Sequence, residues 1–356
     1  MKTSIINPKR LRILMLAPTP FFSDRGCHIR VLNSYLRLKS EGHKITIITY
    51  PIGRNVMNIK PIRVQQIPGY SKTEPGFSIY RPFLDILLWI KAKNEMKSNS
   101  YDLIYAHLHE GALVGYFLKK EFDKKLIFDS QGSLVGELAA GGTIKKRSLA
   151  SKILESIEKF ITNQSDEIIT STEGLKNFIT KNLKISKKIT VIKDIPDKSL
   201  FNKQVKSASL KLPKNKKIVV YLGGLQEYKG IDYLLKAIPL TNPKFHFLIM
   251  GYPLDHVKKV AKELKIEDRI TLTGKISYEK APSYLKLGDI AVSPKTLESG
   301  EANAKIYNYI AMDLPVVCFD MEETKALKKE FPKAKFFFAK EGDVKDLAKK
   351  IEVAGK

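Results

Sequence analysis

The sequence has few cysteines and no long apolar run, and both shortages exclude classes of protein. It holds 356 residues with two cysteines, Cys27 and Cys318, far apart along the chain. A disulfide framework and a CxxC metal site are therefore excluded, which fits a reducing compartment. The longest apolar stretch, Phe83–Ile90, is interrupted by Asp85 and is too short to cross a bilayer. The apolar run Ile13–Ala17 is too short for the core of a signal peptide, so we expect a cytoplasmic protein.

Acidic residues are outnumbered by basic ones, and arginine is scarce beside lysine. The chain has 62 Lys and Arg against 37 Asp and Glu, which is a formal net charge of +25. Such an excess attracts anions such as phosphorylated ligands, nucleic acids or acidic lipid headgroups. The lysine-rich composition that an AT-rich genome produces explains the excess equally well. Arginine is the better group for bidentate phosphate contacts, so its scarcity, with no aromatic-interleaved basic motif, disfavours a nucleic-acid binder.

Short apolar runs rich in β-branched residues alternate with amphipathic stretches from end to end. Such runs between helices are typical of strands buried on both faces of a parallel sheet. The first half contains Leu11–Pro18, Lys44–Pro51, Asp102–Leu108, Lys125–Ser130, Glu167–Thr172 and Ile189–Lys193. The second half contains Ile218–Gly223, Phe245–Gly251, Ile270–Gly274, Ile290–Ser293, Pro315–Asp320 and Lys335–Phe338.

Helical spacing between these runs completes the prediction of the fold. Amphipathic stretches include Val31–Ser40, Ser151–Ile161, Ile231–Ile238 and His256–Leu264. The polar segment Asp194–Asn215 separates the two halves and marks a domain boundary. We therefore predict an α/β protein with two tandem Rossmann-like, doubly wound domains, residues 1–197 and 198–356, that face a central cleft.

Ligands of open parallel sheets bind where the strands end, so the loops that follow the strands are the candidate sites. After the first run, Gly26 opens a helix within Ser23–Arg30. A glycine there lets a phosphate or a sugar approach the backbone, although an ordinary turn explains it equally well. The full GxGxxG pattern is absent, which disfavours a dinucleotide oxidoreductase.

Two histidines follow the third run of the first half. His107 and His109 are two residues apart at the predicted strand end, where alternate side chains point to opposite faces, so a shared metal is disfavoured. His109, nearer the exit of the strand, can hydrogen-bond a sugar hydroxyl. A structural imidazole is the alternative.

The second half opens with a strand, the pair Gly223-Gly224, and Lys229-Gly230 before a helix. The spacing of a P-loop is not met, because no GK[ST] follows. A flexible glycine pair near a lysine nevertheless suits a diphosphate, with Lys229 acting as a point charge. A solvated surface lysine is the alternative.

The segment Ser293–Val317 carries the most information. It predicts a strand, a polar loop, a helix from about Asn303 to Met312, a tight turn at Asp313 and a strand. Lys305 lies in the first turn of the helix, where a cation is unfavourable for the helix dipole. A bound diphosphate would compensate, and Asn308 lies one turn later on the same face.

Together these residues resemble the family-4 retaining glycosyltransferases, which have the two-domain GT-B architecture. The resemblance covers nearly the whole chain and includes the Gly26 loop, His107–Glu110, Lys229-Gly230 and Leu272–Lys275. Its most specific part is NAKIYNYIAMDLPVV, residues Asn303–Val317, which looks like the donor-binding helix of the family.

The resemblance implies a nucleotide-sugar donor in the second domain, an acceptor on the first, and metal-independent transfer with retention and without a cofactor. It implies His109 and Glu301 as catalytic residues. The donor-binding residues that it implies are Gly26, Gly223, Gly224, Lys229, Gly251, Lys275, Ile276, Asn303, Ala304, Lys305 and Asn308.

The resemblance also implies a role for several of these residues. Lys229 and Lys305 would neutralise the departing diphosphate. His109 would meet the transferred sugar, and Gly26 would approach the donor phosphate or sugar. The backbone around Lys275–Ile276 would contact the base.

Three positions depart from the pattern of the family. Asn308 stands where a glutamate usually holds the ribose, and Gly224 stands where an arginine is frequent. The other glutamate of the pattern aligns on Gly300; Glu298 and Glu301 are its neighbours, and we favour Glu301. Because Gly224 stands in place of that arginine, one positive charge on the diphosphate is missing.

The expected function is transfer of a sugar from a nucleoside-diphosphate sugar to a glycan, a lipid-linked acceptor or another cell-envelope acceptor. A catalytically reduced nucleotide-sugar-binding subunit and a sugar-nucleotide epimerase of the same fold remain alternatives. Lys145–Arg147 and the amphipathic stretch Ser151–Ile161 suggest contact with an anionic membrane surface on its inner face. A core-facing helix with a solvated basic flank is the alternative.

Overall fold

The computed structural model describes residues 10–73, 78–140, 144–145, 148–296 and 303–356. These residues form two compact units. The first unit contains the described residues up to 194, and the second contains residues 195–296 and 303–356.

A seven-stranded parallel sheet organises the first unit, in the order β3-β2-β1-β4-β5-β6-β7. Apolar residues opposite one another, such as Ile13 beside Ile45 and Leu103, form its buried centre. The strands are β1 Arg12–Ala17, β2 Lys44–Thr49, β3 Ile62–Arg63, β4 Leu103–His107, β5 Lys125–Ser130, β6 Glu167–Thr170 and β7 Ile189–Val191. Each of the six predicted runs contains one of these strands; β3, two residues long, is too short to produce a periodic signal.

In the described part of the first unit, six helices connect the strands of the sheet. Helix α1 begins at Gly26, within the segment predicted to open the first helix, and α3 ends where Asp123 takes a left-handed conformation with φ of 50°. Ser148 caps the N-terminus of α5 by accepting a hydrogen bond from the backbone N–H of Ser151. The helices are α1 Gly26–Ser40, α2 Arg81–Ser98, α3 Leu108–Phe122, α4 Leu134–Ala140, α5 Leu149–Gln164 and α6 Glu173–Lys181.

A six-stranded parallel sheet organises the second unit, in the order β10-β9-β8-β11-β12-β13. All six strands fall on predicted runs, and every residue of β9 is buried, as a strand covered on both faces requires. The strands are β8 Lys217–Leu222, β9 Phe245–Met250, β10 Ile270–Gly274, β11 Ile290–Ser293, β12 Val316–Phe319 and β13 Phe336–Ala339.

The second sheet is also covered by helices, which confirms two Rossmann-like α/β units. Asp313 has a φ of 55°, the left-handed turn that the sequence predicts between helix and strand. The helices are α7 Ile231–Ala237, α8 Asp255–Glu263, α9 Ala281–Leu285, α10 Lys305–Ala311, α11 Glu322–Glu330 and α12 Val344–Ala354.

In each sheet the order of the strands reverses direction once. The reversal lies between β1 and β4 in the first unit and between β8 and β11 in the second. A doubly wound sheet opens a crevice at this point, beyond the carboxyl ends of the two strands. The loops after these strands are therefore where each unit can hold a ligand.

Candidate functional site

Gly223 follows β8 at the reversal point of the second sheet. Its φ is 151°, a conformation that side chains rarely adopt, and its N–H donates to the carbonyl of Met250 over 3.0 Å. A Cβ at Gly223 would lie 3.0 Å from Nζ of Lys305. The missing side chain therefore leaves room for a lysine ammonium at the end of the strand.

Lys305 is held in this space by an aromatic ring that sequence reasoning missed. Its Nζ lies 4.1 Å from the centroid of the Tyr221 ring, a distance at which a cation is attracted to the ring face. Tyr221 is fully buried, and its hydroxyl donates to the carbonyl of Gly224 over 2.8 Å. Burial raises the pKa of Tyr221 far above its usual value, so the hydroxyl stays protonated. The only signal in the sequence is a tyrosine within an apolar strand, two residues before the glycine pair.

A second buried tyrosine fixes the helix that carries Lys305. The hydroxyl of Tyr309 accepts a hydrogen bond from the backbone N–H of Leu222 over 2.9 Å and donates to the carbonyl of Val292 over 3.4 Å. These bonds tie α10 to the ends of β8 and β11. They place Lys305, one helical turn before Tyr309, over the crevice.

Helix α10 begins at Lys305, two residues later than predicted, and the side chain of Asn303 bonds to the end of β11 instead of capping the helix. Its Oδ1 accepts a hydrogen bond from Ser293 Oγ over 2.8 Å, and its backbone N–H donates to Glu323 Oε1 over 3.3 Å. Asn303 is buried, and its Nδ2 has no hydrogen-bond partner among the residues that the structure describes. Ala304 occupies the N-cap position without a side-chain cap. Ala304 and Asn308 are both half-buried.

The Lys229-Gly230 pair ends a short 3₁₀ turn, Glu227–Lys229, beside the glycine pair. Cγ of Lys229 lies 3.7 Å from the position of a Cβ on Gly224. Gly230 has a φ of 82°, and a Cβ there would lie 2.0 Å from the carbonyl oxygen of Pro294. The chain that leaves β11 therefore packs directly on the backbone at Gly230, so that Lys229 lies near the ends of both central strands.

Gly251 follows β9 and is required by packing. Its φ is 158°, and a Cβ there would lie 1.8 Å from the carbonyl oxygen of Gly223. No side chain fits without a shift of the backbone. This steric demand exists without any ligand, and the sequence prediction of a donor contact at Gly251 stays a prediction.

Lys275 and Ile276 follow β10 at the neighbouring strand end. The N–H of Gly251 donates to the carbonyl of Gly274 over 3.1 Å, which joins the loops after β9 and β10. Lys275 is exposed, and its Nζ lies 5.4 Å from the centroid of the Tyr252 ring, while Ile276 is half-buried. Tyr252 is a further aromatic residue at this edge that sequence reasoning missed.

The acidic residues predicted for the donor loop lie outside the residues that the structure describes. Glu301, the favoured acidic residue, its alternative Glu298, and Gly300, on which the family's glutamate aligns, fall in 297–302, which is not among the described ranges. Lys295, just before this segment, is a buried lysine that sequence reasoning did not select.

In the first unit, Gly26 is the first residue of α1. A Cβ built there meets no atom within 4 Å, and its φ is not in the left-handed region. The backbone therefore does not require a glycine at this position, and the space that a side chain would enter is open. His28, two residues later, is buried and accepts a hydrogen bond at Nδ1 from the N–H of Ser23 over 2.8 Å, with Nε2 against Thr19 Oγ1.

His107 and His109 have different neighbours because they belong to different elements, and not because their side chains project from opposite faces of one strand. Strand β4 ends at His107 and α3 begins at Leu108, whose φ is 60°, so His109 belongs to the helix. The prediction that both side chains project from one strand is therefore wrong for His109. Within the described ranges, no group of three or more His, Cys, Asp or Glu side chains is placed to hold a metal.

His107 is fully buried beside Asp129. Its Nδ1 lies 3.2 Å from Gln131 Nε2 and 3.5 Å from Asp129 Oδ2. Burial lowers the pKa of His107 to about 4, and the opposing attraction of Asp129 is too weak to restore it. His107 is therefore a neutral structural imidazole at physiological pH.

His109 contacts a carboxylate on a neighbouring helix. Its Nε2 lies 3.5 Å from Glu158 Oε1, and its ring meets the ring of Phe128 edge-on at 5.3 Å. Glu158 is buried and also accepts a hydrogen bond from Ser133 Oγ over 3.1 Å. Glu158 thus lies beside Nε2 of the His109 imidazole. Sequence reasoning missed Glu158 because it lies in an amphipathic stretch, 49 residues from His109 in the chain.

A buried ionic network lies under these histidines. Asp129 accepts hydrogen bonds from Arg30 Nε over 3.0 Å, from Tyr105 over 2.9 Å and from Ser34 over 3.2 Å. Arg30 also pairs with Asp194 over 2.9 Å. Burial acts to raise the pKa of Asp129, but the charge of Arg30 outweighs it and holds the pKa below its usual value. The network joins α1, β4, β5 and the end of the first unit.

Two family models match the chain, one on each unit. The model described as Glycosyltransferase Family 4 matches residues 25–194, and the model described as Glycosyl transferases group 1 matches residues 216–354. The chain belongs to the GT-B glycosyltransferases. The Lys229 and Lys305 region of this glycosyltransferase lies within the second match, and His109 lies within the first.

Relatives agree with this membership. An uncharacterised glycosyltransferase of Methanocaldococcus jannaschii is 26% identical to this glycosyltransferase over 242 residues, which cover 65% of the chain and span 60% of the relative's length. The D-inositol 3-phosphate glycosyltransferase of Mycolicibacterium smegmatis is 22% identical over 329 residues, which cover 83% of the chain and 73% of the relative.

Solved structures share the fold of this GT-B glycosyltransferase. Sucrose-phosphate synthase from Thermosynechococcus elongatus has a TM-score of 0.75 at 19% identity, covering 97% of this chain and 89% of that one. The Anabaena HepE protein in complex with UDP and glucose has a TM-score of 0.68 at 16% identity, covering 98% and 90%.

Proposed function

We propose that the chain transfers a sugar from a nucleoside-diphosphate sugar to a glycan, a lipid-linked acceptor or another cell-envelope acceptor, without a metal and with retention. The observation that carries the proposal is the ammonium of Lys305, held above Tyr221 beside Gly223, with Lys229 next to the same glycine pair. Two lysines beside a strand end that is followed by two glycines suit the two phosphates of a donor. The HepE structures that share this fold hold UDP, UDP and glucose, or UDP-glucose.

The reaction breaks the bond between the anomeric carbon of the sugar and the donor phosphate oxygen. A new bond forms between that carbon and an acceptor oxygen on the same face. The acceptor proton passes to the departing diphosphate, which leaves with the bonding electrons. Positive charge that is already in place stabilises the negative charge of the leaving group, and this is the part of the chemistry that Lys229 and Lys305 would supply.

Other residues take roles in the proposal by their position in the family pattern. His109, beside Glu158, would contact the transferred sugar, and Glu301 would be the acidic residue of the donor loop. Asn308 would contact the ribose, and the backbone at Lys275 would contact the base. Gly26, Gly223, Gly224 and Gly251 would line the donor, with Ile276, Asn303 and Ala304 beside them. The proposed place of action is the cytoplasm, on the inner face of the cell membrane.

The test is turnover of a panel of nucleoside-diphosphate sugars, detected as released nucleotide and transferred sugar by mass spectrometry. Lys229→Ala and Lys305→Ala should each lower kcat/KM by about tenfold to a thousandfold, because each removes a charge that stabilises the leaving group. Lys349→Ala, an exposed lysine on α12, is the control and should leave turnover unchanged. Near-normal turnover in both site variants would refute the assignment of the donor site.

A catalytically reduced binding subunit is the second candidate, and Gly224 and Asn308 favour it. These positions lack the arginine and the glutamate that the family usually places on the donor. Calorimetry with UDP, GDP and ADP sugars distinguishes the two functions, because a binding subunit binds one nucleotide without turning it over on any acceptor. An epimerase would interconvert the donor sugar without an acceptor.

A further inference from the structure

Helices α2, α3 and α5 lie side by side on one face of the first sheet, with α3 packed against both neighbours. The described residues leave twelve large apolar side chains exposed, and nine of them lie on this layer or directly before it. Monomeric proteins rarely leave a contiguous apolar surface of this kind uncovered. We call the outward surface of the three helices the apolar face.

On α2 the apolar face is a stripe opposite the core. Leu84 and Leu88 point inward and are fully buried. Phe83 is 63% exposed and Ile86 is 54% exposed, and Ile90, one turn later, is exposed as well. Residues three and four apart lie on one side of a helix, so these three form a continuous stripe away from the sheet.

On α5 a second apolar stripe faces outward. Leu149 is 76% exposed and Ile153 is 54% exposed, and Ile157 and Phe160 continue the stripe outward. The inward side carries Glu158, which is 1% exposed, and the core residue Ile161, which is 4% exposed. A surface helix ordinarily turns its apolar stripe toward the core, so the alternative of a core-facing helix is wrong for this stripe.

Side-chain contacts through α3 join the two stripes. The ring of Tyr116 on α3 meets the ring of Phe160 edge-on at 5.7 Å. Its neighbour Phe117 is exposed between the stripes. On the other side, Lys93 Nζ of α2 pairs with Glu121 Oε1 of α3 over 2.8 Å. The apolar face is therefore one surface across three helices.

The exposed charges of these three helices are mainly positive: five lysines against two glutamates. Lys152 and Lys159 lie beside the α5 stripe, next to Ile153 and Phe160 in sequence. Long lysine stems can lie along an apolar surface while the ammonium groups reach polar headgroups. Apolar side chains with flanking lysines are typical of helices that lie in the interface of an anionic bilayer.

We infer that the apolar face docks the chain on an anionic lipid bilayer, with α2 and α5 lying in the headgroup region. A second copy of the chain is a poorer occupant, because each copy has a net charge of +25 and the two would repel. In the described part of the chain, no helix has the length and apolarity needed to cross a bilayer, so the contact is peripheral. The inference rests on the proposed function only for the lipid-linked acceptor, which docking would bring within reach of the first unit.

The test is co-sedimentation of the full chain with vesicles of phosphatidylcholine alone or with about 30% phosphatidylglycerol, which gives an anionic surface that attracts lysines. The wild-type chain should bind the anionic vesicles and dissociate as salt is raised. The double variant Phe83→Ser/Ile153→Ser, with one change on each stripe, should lower the partition coefficient at least tenfold. Val353→Ser changes an exposed apolar residue on α12 of the second unit and is the matched control that should bind normally.

Charge is tested separately, because apolar variants alone do not identify a lipid surface. Lys152→Gln/Lys159→Gln should lower binding to the anionic vesicles about tenfold or more, and Lys349→Gln should leave it unchanged. Thermal unfolding confirms that each variant is folded. Nucleotide binding by calorimetry is measured on the same samples, so that loss of docking is distinguished from failure of the donor site.

Three outcomes would overturn the inference. The first is no binding of the wild-type chain to anionic vesicles. The second is equal binding by Phe83→Ser/Ile153→Ser and the wild type. The third is a stable dimer in analytical ultracentrifugation that this double variant dissociates, which would make the apolar face an interface between copies.

Discussion

The contact of Lys305 with the Tyr221 ring leads to a quantitative prediction about nucleotide binding. The ammonium lies 4.1 Å from the ring centroid, and the ring is fully buried. A cation over a desolvated ring is stabilised by about 2 kcal/mol, so Lys305 is ordered before a nucleotide arrives. Ordering a free lysine during binding would cost about 0.5–1.5 kcal/mol.

Tyr221→Leu removes the ring and leaves the charge. The affinity for the nucleoside diphosphate should then fall by about fivefold to tenfold, the equivalent of about 1 kcal/mol, because binding must order Lys305. Tyr221→Phe keeps the ring and removes the hydrogen bond to Gly224. It should cost about 1 kcal/mol of unfolding free energy and leave nucleotide affinity within about twofold of the wild type.

A double-mutant cycle with Lys305→Met isolates the interaction. Lys305→Met alone should weaken binding by about 1.5–3 kcal/mol, the range for a hydrogen bond to a charged group. In that background Tyr221→Leu should have almost no further effect, which gives a coupling energy of about 1 kcal/mol between the two sites. The assay is calorimetry with the diphosphate nucleotide that binds best, and thermal unfolding verifies each variant. Additive losses, or equal losses for Tyr221→Phe and Tyr221→Leu, would refute the reasoning.

Two further predictions concern stability, each measured by urea unfolding. Burial lowers the pKa of His107 to about 4, whereas an unfolded histidine titrates near 6.5. The neutral His107 therefore makes its full contribution to stability above about pH 6.5. About 3 kcal/mol of the free energy of unfolding is lost as the pH falls toward 4. His107→Gln should flatten the dependence of the free energy of unfolding on pH between about 6.5 and 4. An unchanged dependence would contradict the assignment of His107 as a neutral buried imidazole. Gly251→Ala should cost at least about 3 kcal/mol, because its Cβ would lie 1.8 Å from the Gly223 carbonyl oxygen. Gly26→Ala, with no atom near its Cβ, should change stability by less than about 0.5 kcal/mol, and similar losses in the two variants would contradict the steric argument.

Much of the fold was predictable because parallel strands covered on both faces need nearly continuous apolar runs. That requirement is local in the sequence, so the six strands of the second unit and six of the seven in the first fall on predicted runs. Strand β3, Ile62–Arg63, was missed because two residues carry no period. The turn at Asp313 was predictable for a similar reason, since it lies between a helical pattern and a strand pattern.

The candidate site was predictable only in outline. The order of the motifs placed Lys229 and Lys305 after strand ends, and the structure brings both to the same glycine pair. The ring under Lys305 was not predictable, because Tyr221 is 84 residues away in the chain and reads as an ordinary strand residue. Glu158 was missed for the same reason. It meets His109 only because α5 packs beside α3.

The sequence by itself determined the α/β class, the strands and the positions of the lysines, because each depends on residue spacing along the chain. It also showed that α5 is amphipathic. Only the tertiary structure decided that the stripe of Ile153 and Phe160 points outward, because periodicity defines a stripe without saying which side the neighbouring helices cover. Likewise, the steric demand on Gly251 comes from the carbonyl oxygen of Gly223, a contact that exists only when two parallel strands lie side by side.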